Sequence, residues 1–166
     1  MNSEQSCPAL KRVPFDLWEL ETKPIEGISL ITPNSSDLLT HHVNILISAG
    51  PYKDLILHLI IRIPPNYPQD APAVNIAPGL AFDHRFYQYV YNDERFGNCI
   101  SIDLTSTYNG QFIYRNKVQG SKWTMAHTLS DLLLRLKEVL ENPRYPPKGK
   151  PTKWDIERLH EHVRLF

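Results

Sequence analysis

The feature that most constrains this chain is a pair of alternating runs joined by Gly50-Pro51. From His41 to Ala49, Val43, Ile45, Ile47 and Ala49 share one side, and His42, Asn44 and Ser48 share the other. From Asp54 to Ile63, Leu55, Leu57, Leu59, Ile61 and Ile63 oppose Asp54, His58 and Arg62. A period of two with one apolar side is the pattern of half-buried antiparallel strands. A shorter alternating run, Ile28 to Thr32, follows Gly27, so three strands in a meander are expected. Pro64, Pro65, Pro68 and Pro72 then end the regular course, because proline has no backbone donor for a central ladder. Ala73 to Ile76 is a candidate short fourth strand.

Residues 78–122 show little periodicity, and loops that long in compact domains are usually functional. Thr124 to Asn142 then reads as a helix. Met125, Leu129, Leu132, Leu133, Leu136, Val139 and Leu140 form one apolar stripe, with Arg135, Lys137 and Glu138 off it. Pro143 ends this helix. Thr152 and Asp155 resemble a capping box that opens a final helix over 152–166, with Ile156, Leu159 and Val163 inward. The segment before Gly27 reads as short helix or coil. An antiparallel sheet followed by helices is α+β, and 166 residues suit one domain spanning 1–166.

Composition narrows the function classes. Lys plus Arg and Asp plus Glu both number 18, so no global basic field exists to gather nucleic acid or an anionic membrane. The apolar stretch from Leu55 to Ile63 is interrupted by His58 and Arg62, which argues against a membrane span. The opening residues Met-Asn-Ser-Glu-Gln-Ser lack a secretory pattern. Cys7 and Cys99 lie too far apart in sequence to suggest a disulfide framework. A reducing compartment, cytoplasm or nucleus, is the expectation. No Cys/His spacing suggests zinc, no cofactor motif is present, and Gly-x-Ser-x-Gly and Walker patterns are absent.

Four landmarks in order carry a resemblance to the ubiquitin-conjugating enzyme family, over roughly 27–143. Gly50-Pro51-Tyr52 resembles the family's turn before its third strand. Ile63-Pro64-Pro65-Asn66-Tyr67-Pro68 with Ala71-Pro72 is similar to its Phe-Pro-x-x-Tyr-Pro-x-x-x-Pro. Cys99-Ile100-Ser101-Ile102 resembles its active-site cysteine and the residues after it. Trp123-Thr124-Met125-Ala126, the Leu-rich helix and Asn142-Pro143 resemble its Trp-Ser-Pro-Ala, crossover helix and closing Asn-Pro. The resemblance implies a four-stranded meander packed on a crossover helix with flanking helices. It also implies ubiquitin or a ubiquitin-like protein, an activating enzyme and a ligase as partners. By its terms Ile63, Met125 and Ala126 occupy the ligase-docking turns. Because Ile63 and Met125 replace the family's Phe and Pro, a generic RING domain is expected to bind poorly.

The chain also departs from the family. In place of the family's His-Pro-Asn, whose Asn is credited with stabilising the oxyanion, stands His84-Arg85-Phe86. Asn98 and Asn92 are the nearby amides that remain as substitutes. His84 reads either as a donor closing the loop or as an acid or base. Two alignments of the nucleophile stay open. In one, Cys99 carries the thioester. In the other, Ile100-Ser101-Ile102-Asp103-Leu104 overlays Ile-Cys-Leu-Asp-Ile, and Ser101 holds the catalytic place. The alignments differ by two residues, so in an extended segment Cys99, Ser101 and Asp103 share a side, opposite Ile100, Ile102 and Leu104. A thiol exchanges thioesters readily near neutral pH, whereas a serine ester is far less reactive and needs a base. Asp103 is the candidate for orienting the incoming amine.

Each residue has a plainer reading as well. Cys99 and Cys7 suit buried small hydrophobes, His41 and His42 suit polar positions at a strand start, and Trp123 suits core packing. The functional alternatives are therefore a transferase, an inactive variant that binds ubiquitin or a pathway partner, and an RWD-type interaction module sharing Tyr67-Pro68-x-x-x-Pro72.

Overall fold

The computed structural model describes residues 7–31, 37–76, 90–93, 97–100, 102–105, 111–114, 117–120 and 122–142. Helix α1 (Pro8–Thr22) precedes strands β1 (Ile28–Ile31), β2 (Thr40–Leu46), β3 (Ile56–Arg62) and β4 (Ala73–Ile76). Strands β5 (Val90–Asp93), β6 (Gly97–Ile100), β7 (Gln111–Tyr114) and β8 (Lys117–Gly120) follow, then helix α2 (Leu129–Glu141). The expected final helix over 152–166 lies outside the described residues.

The meander forms as the alternation predicts. β1 to β4 pair antiparallel in sequence order, with Val43 opposite Leu59 and Leu59 opposite Ile76. The ladder between β2 and β3 continues past both strands, since Ile47 N donates to Leu55 O at 2.9 Å and Asp54 N to Ile47 O at 2.9 Å. Asp54 itself sits in the turn with φ of 75° rather than in the strand. The sheet is wider than the four strands expected, because β6 pairs with β4 and β5 with β6, giving the order β1-β2-β3-β4-β6-β5. β7 and β8 pair separately as a two-stranded sheet.

One sheet face carries Val43, Ile45, Leu57, Leu59, Ile61, Val74 and Ile100 into a single core with Leu129, Leu132, Leu133, Leu136 and Leu140 of α2. Each fully buried Leu contributes about 1.5–3 kcal/mol relative to exposure. α2 starts later than the stripe suggests: Thr128 is its N-cap, and Thr128 and Asp131 exchange both bonds of a capping box. Met125 therefore precedes the helix, in a turn. The segment expected to be short helix or coil is instead the long α1, whose Ala9 and Val13 enter the same core despite Pro14. Among the described residues, no helix is long and apolar enough to cross a membrane.

The far end of α2 docks on the turn between β2 and β3. Ser48 donates to Glu141 Oε1 through its backbone N at 3.1 Å and its hydroxyl at 2.7 Å. Gly50 has φ of +80°, and a Cβ built there would lie 2.0 Å from the Glu141 carbonyl oxygen. Strain and overlap act together at this position, so Gly50→Ala is expected to cost at least about 2 kcal/mol. Urea unfolding checks this as a lower midpoint at unchanged m-value. A loss under about 0.5 kcal/mol would mean that α2 does not pack against this turn.

Candidate functional site

Strand parity assigns the chemistry-bearing side chains to the second face of the sheet. Val74 and Ile100 pair across β4 and β6 and point into the core beneath α2. Asn75 and Cys99, the neighbouring pair, therefore point the other way. Ile60 lies opposite Asn75 and His42 opposite Ile60. This second face thus runs His42, Ile60, Asn75, Cys99 from β2 to β6.

Cys99 is 0% exposed. Its backbone sits between β4 and β5, opposite Asn75 on one side and Tyr91 on the other. Its sulfur accepts a hydrogen bond from Asn75 Nδ2 at 3.2 Å. The Asn75 amide is itself oriented: Arg62 Nε donates to Asn75 Oδ1 at 2.6 Å. A guanidinium can only donate, so Oδ1 faces it and the NH₂ group is left to face the sulfur. Arg62, Asn75 and Cys99 thus form a relay across three neighbouring strands.

Sequence reasoning named Asn98 and Asn92 as the amides near the cysteine and missed Asn75, which is remote in sequence. One signal was available. Asn75 is a polar residue inside the apolar run Ala73-Val74-Asn75-Ile76, and a buried amide requires partners. Asn98 and Asn92 do face each other across β6 and β5 in the backbone register, but their side chains lie outside the described residues. His84 and Ser101 also lie outside them.

Asp103 falls in the turn 102–105 that follows β6 rather than in a continuing strand. Ile102 N donates to Thr105 Oγ1 at 2.9 Å, and that hydroxyl donates back to Ile102 O at 3.0 Å. Lys122 N donates to Asp103 O at 2.8 Å. The Asp103 carboxylate takes two bonds from Arg135 of α2, Nε to Oδ1 at 3.0 Å and NH2 to Oδ2 at 3.1 Å. Asp103, expected to orient an amine, therefore fastens this turn to α2. Arg135 lies off the apolar stripe, and the sequence pattern carries no sign of this partner. Ile100, Ile102 and Leu104 are all buried in the core, the side assigned to them from the alternation.

The docking residues divide. Ile63 is only 4% exposed and belongs to the core, held by its backbone N donating to Leu39 O at 2.8 Å. Ile63, expected at a ligase-docking turn, thus points inward with the apolar side of its strand. Met125 is 61% exposed and Ala126 is exposed beside it. Their turn is anchored by Trp123 Nε1 donating to Pro68 O at 2.8 Å. Among the described residues no three His, Cys, Asp or Glu side chains converge to hold a metal ion.

Comparison with solved structures gives two informative neighbours. A structure described as a novel ubiquitin-conjugating enzyme superposes with a TM-score of 0.60 at 22% identity, over 95% of this chain and 87% of that one. The structure of human ubiquitin-conjugating enzyme E2 G1 superposes with a TM-score of 0.54 at 19% identity, over 79% of this chain and 93% of that one. No protein-family model and no curated protein matches the chain. The fold is therefore that of ubiquitin-conjugating enzymes, an α+β UBC-like fold.

The Asp103–Arg135 pair makes a separable prediction. A partly exposed bidentate pair contributes about 1 kcal/mol. A double-mutant cycle of Asp103→Asn and Arg135→Gln, read by denaturant midpoints, is expected to give a coupling of about that size. Absence of coupling would return Asp103 to the pool of residues available for chemistry.

Proposed function

We propose that this chain is a UBC-fold binding module of a ubiquitin or ubiquitin-like conjugation pathway, which holds the modifier or a pathway partner without carrying it as a thioester. The observation that supports this most is the enclosure of Cys99. A thiol that accepts an activated modifier has to reach the carbonyl of a bulky protein thioester. Cys99 instead lies in a strand flanked on both sides, with its sulfur fully buried and bonded to Asn75. The second candidate for an active role, Asp103, is committed to Arg135. The absence of His-Pro-Asn from the sequence agrees with the loss of transfer chemistry. The burial of Ile63 agrees with reduced docking of a generic RING domain, leaving the turn at Met125 and Ala126 as the accessible part of that surface.

A second reading, a transferase with Cys99 as nucleophile, is favoured by the Arg62–Asn75–Cys99 relay. An amide N–H held on the sulfur by a guanidinium places an oriented donor beside the atom that would carry the thioester. Asn75 would then stand where the missing family amide is needed. This reading requires the sulfur to become accessible before it can attack.

Incubation with activating enzyme, ATP and individual ubiquitin-like proteins, resolved on non-reducing gels, separates the two. The binding module is expected to give no reductant-sensitive adduct while still binding a modifier or pathway enzyme non-covalently in titration calorimetry. An adduct that reductant removes, that Cys99→Ala abolishes and that Cys99→Ser converts to a base-labile ester would establish the transferase. In a module descended from an active enzyme with its nucleophile at position 101, Ser101→Cys is expected to create a reductant-sensitive adduct that survives Cys99→Ala.

A further inference from the structure

The second face of the sheet also carries two imidazoles in direct contact. His42 of β2 and His58 of β3 are diagonal neighbours across the ladder, since His42 pairs with Ile60 and Asn44 with His58. His42 Nδ1 lies 2.8 Å from His58 Nε2, with ring centroids 5.0 Å apart. His42 is half-buried and reaches solvent, whereas His58 is fully buried.

We propose that this pair is an acid-sensitive latch between β2 and β3. On the 2.8 Å line one nitrogen must donate and the other accept, so the line holds a single proton. Adding one proton to the open outer nitrogen of whichever ring donates leaves that bond intact. Adding a second to the pair puts two N–H groups head to head, with two positive charges at contact distance, and the bond breaks. The surroundings push the same way. Beside the contact with His58, Arg62 of β3 and His41 of β2 both oppose the protonation of His42, after burial itself. The remaining neighbours across the ladders are uncharged: Ile31 on β1, Ile60 on β3 and Asn75 on β4. His42 is accordingly held below the ordinary histidine value of 6.5.

The sign follows from that direction. A group whose proton affinity is lower folded than unfolded stabilises the fold fully above its unfolded pKa, near pH 6.5. The contribution is lost as pH falls from there through the depressed folded value. Acidification far enough to place an added proton on both rings is therefore expected to release His42 from His58 and loosen the β2–β3 edge of this face, whichever reading of Cys99 holds.

Imidazole NMR on the intact chain from pH 8 to pH 4 tests this directly. The expected result is that His42 titrates below the ordinary value, in step with resonance changes at His58. A melting temperature that falls by several degrees between pH 7 and pH 5 in the wild type is expected to fall markedly less in His42→Gln. Independent titration of the two rings at ordinary values would overturn the proposal, as would an undiminished loss of melting temperature in the variant.

Discussion

A buried carboxylate joins the two helices to the proline-rich turn. Asp16 on α1 is 2% exposed. Burying an unpaired carboxylate costs several kcal/mol, so its partners must be in place for the fold to form. Arg12, one turn earlier, donates to Oδ1 at 3.0 Å. The Tyr67 hydroxyl donates to Oδ2, and so does Leu129 N at 3.2 Å. Leu129 is the first residue of α2, so Asp16 satisfies one of that helix's unpaired amides at the positive end of its dipole. Burial, with Asp16 beside it, keeps the Tyr67 phenol protonated far above its usual range, which preserves it as a donor. Arg12 extends the same network to the carbonyls of Met125 and His127. The helix N-terminus, the proline-rich turn and the exposed turn at Met125 are thus all set from one side chain.

This hub explains which parts of the fold were legible. The β2–β3 alternation and the Leu stripe were readable because each element is long enough to repeat its period several times. β5 to β8 span four residues each, as in Val90-Tyr91-Asn92-Asp93. Unlike the equally short β1 and β4, which follow from the meander and the proline-rich turn, this run has no apolar alternation to mark it. α1 was hidden because Pro14 lies inside it and because a buried position is held by Asp16 rather than by an apolar residue. Its helical period therefore does not show as a hydrophobic stripe.

The candidate site was legible in part, for a related reason. Parity along the chain correctly separated Ile100 from Cys99, and local sequence could go no further. The partners that define the chemistry, Asn75 for Cys99 and Arg135 for Asp103, come from β4 and α2. Only the sheet register and the helix docking bring them together. The two sheet faces also differ in kind. The face beneath α2 is aliphatic and needs only volume to pack. The other holds Arg62, Asn75, Cys99, His42 and His58, polar groups that must find specific partners where they are buried.

The landmarks that suggested conjugation chemistry turn out to be packing residues. Tyr52 and Tyr67 are fully buried, and Trp123 stacks between Tyr67 at 5.8 Å and His127 at 5.3 Å while bonding to Pro68. The Leu-rich helix covers the sheet. None of these contacts depends on a reactive thiol, and none would weaken if the thiol lost its role. Packing alone therefore accounts for the Gly-Pro-Tyr turn, Tyr67-Pro68 and Trp123, independently of what the cysteine segment does. This chain keeps Gly50-Pro51-Tyr52, Tyr67-Pro68 and Trp123 in packing roles, while Cys99 is enclosed and Asp103 bonds to Arg135. The packing of the fold and the polar cluster around Cys99 are separable here because they rest on different residues.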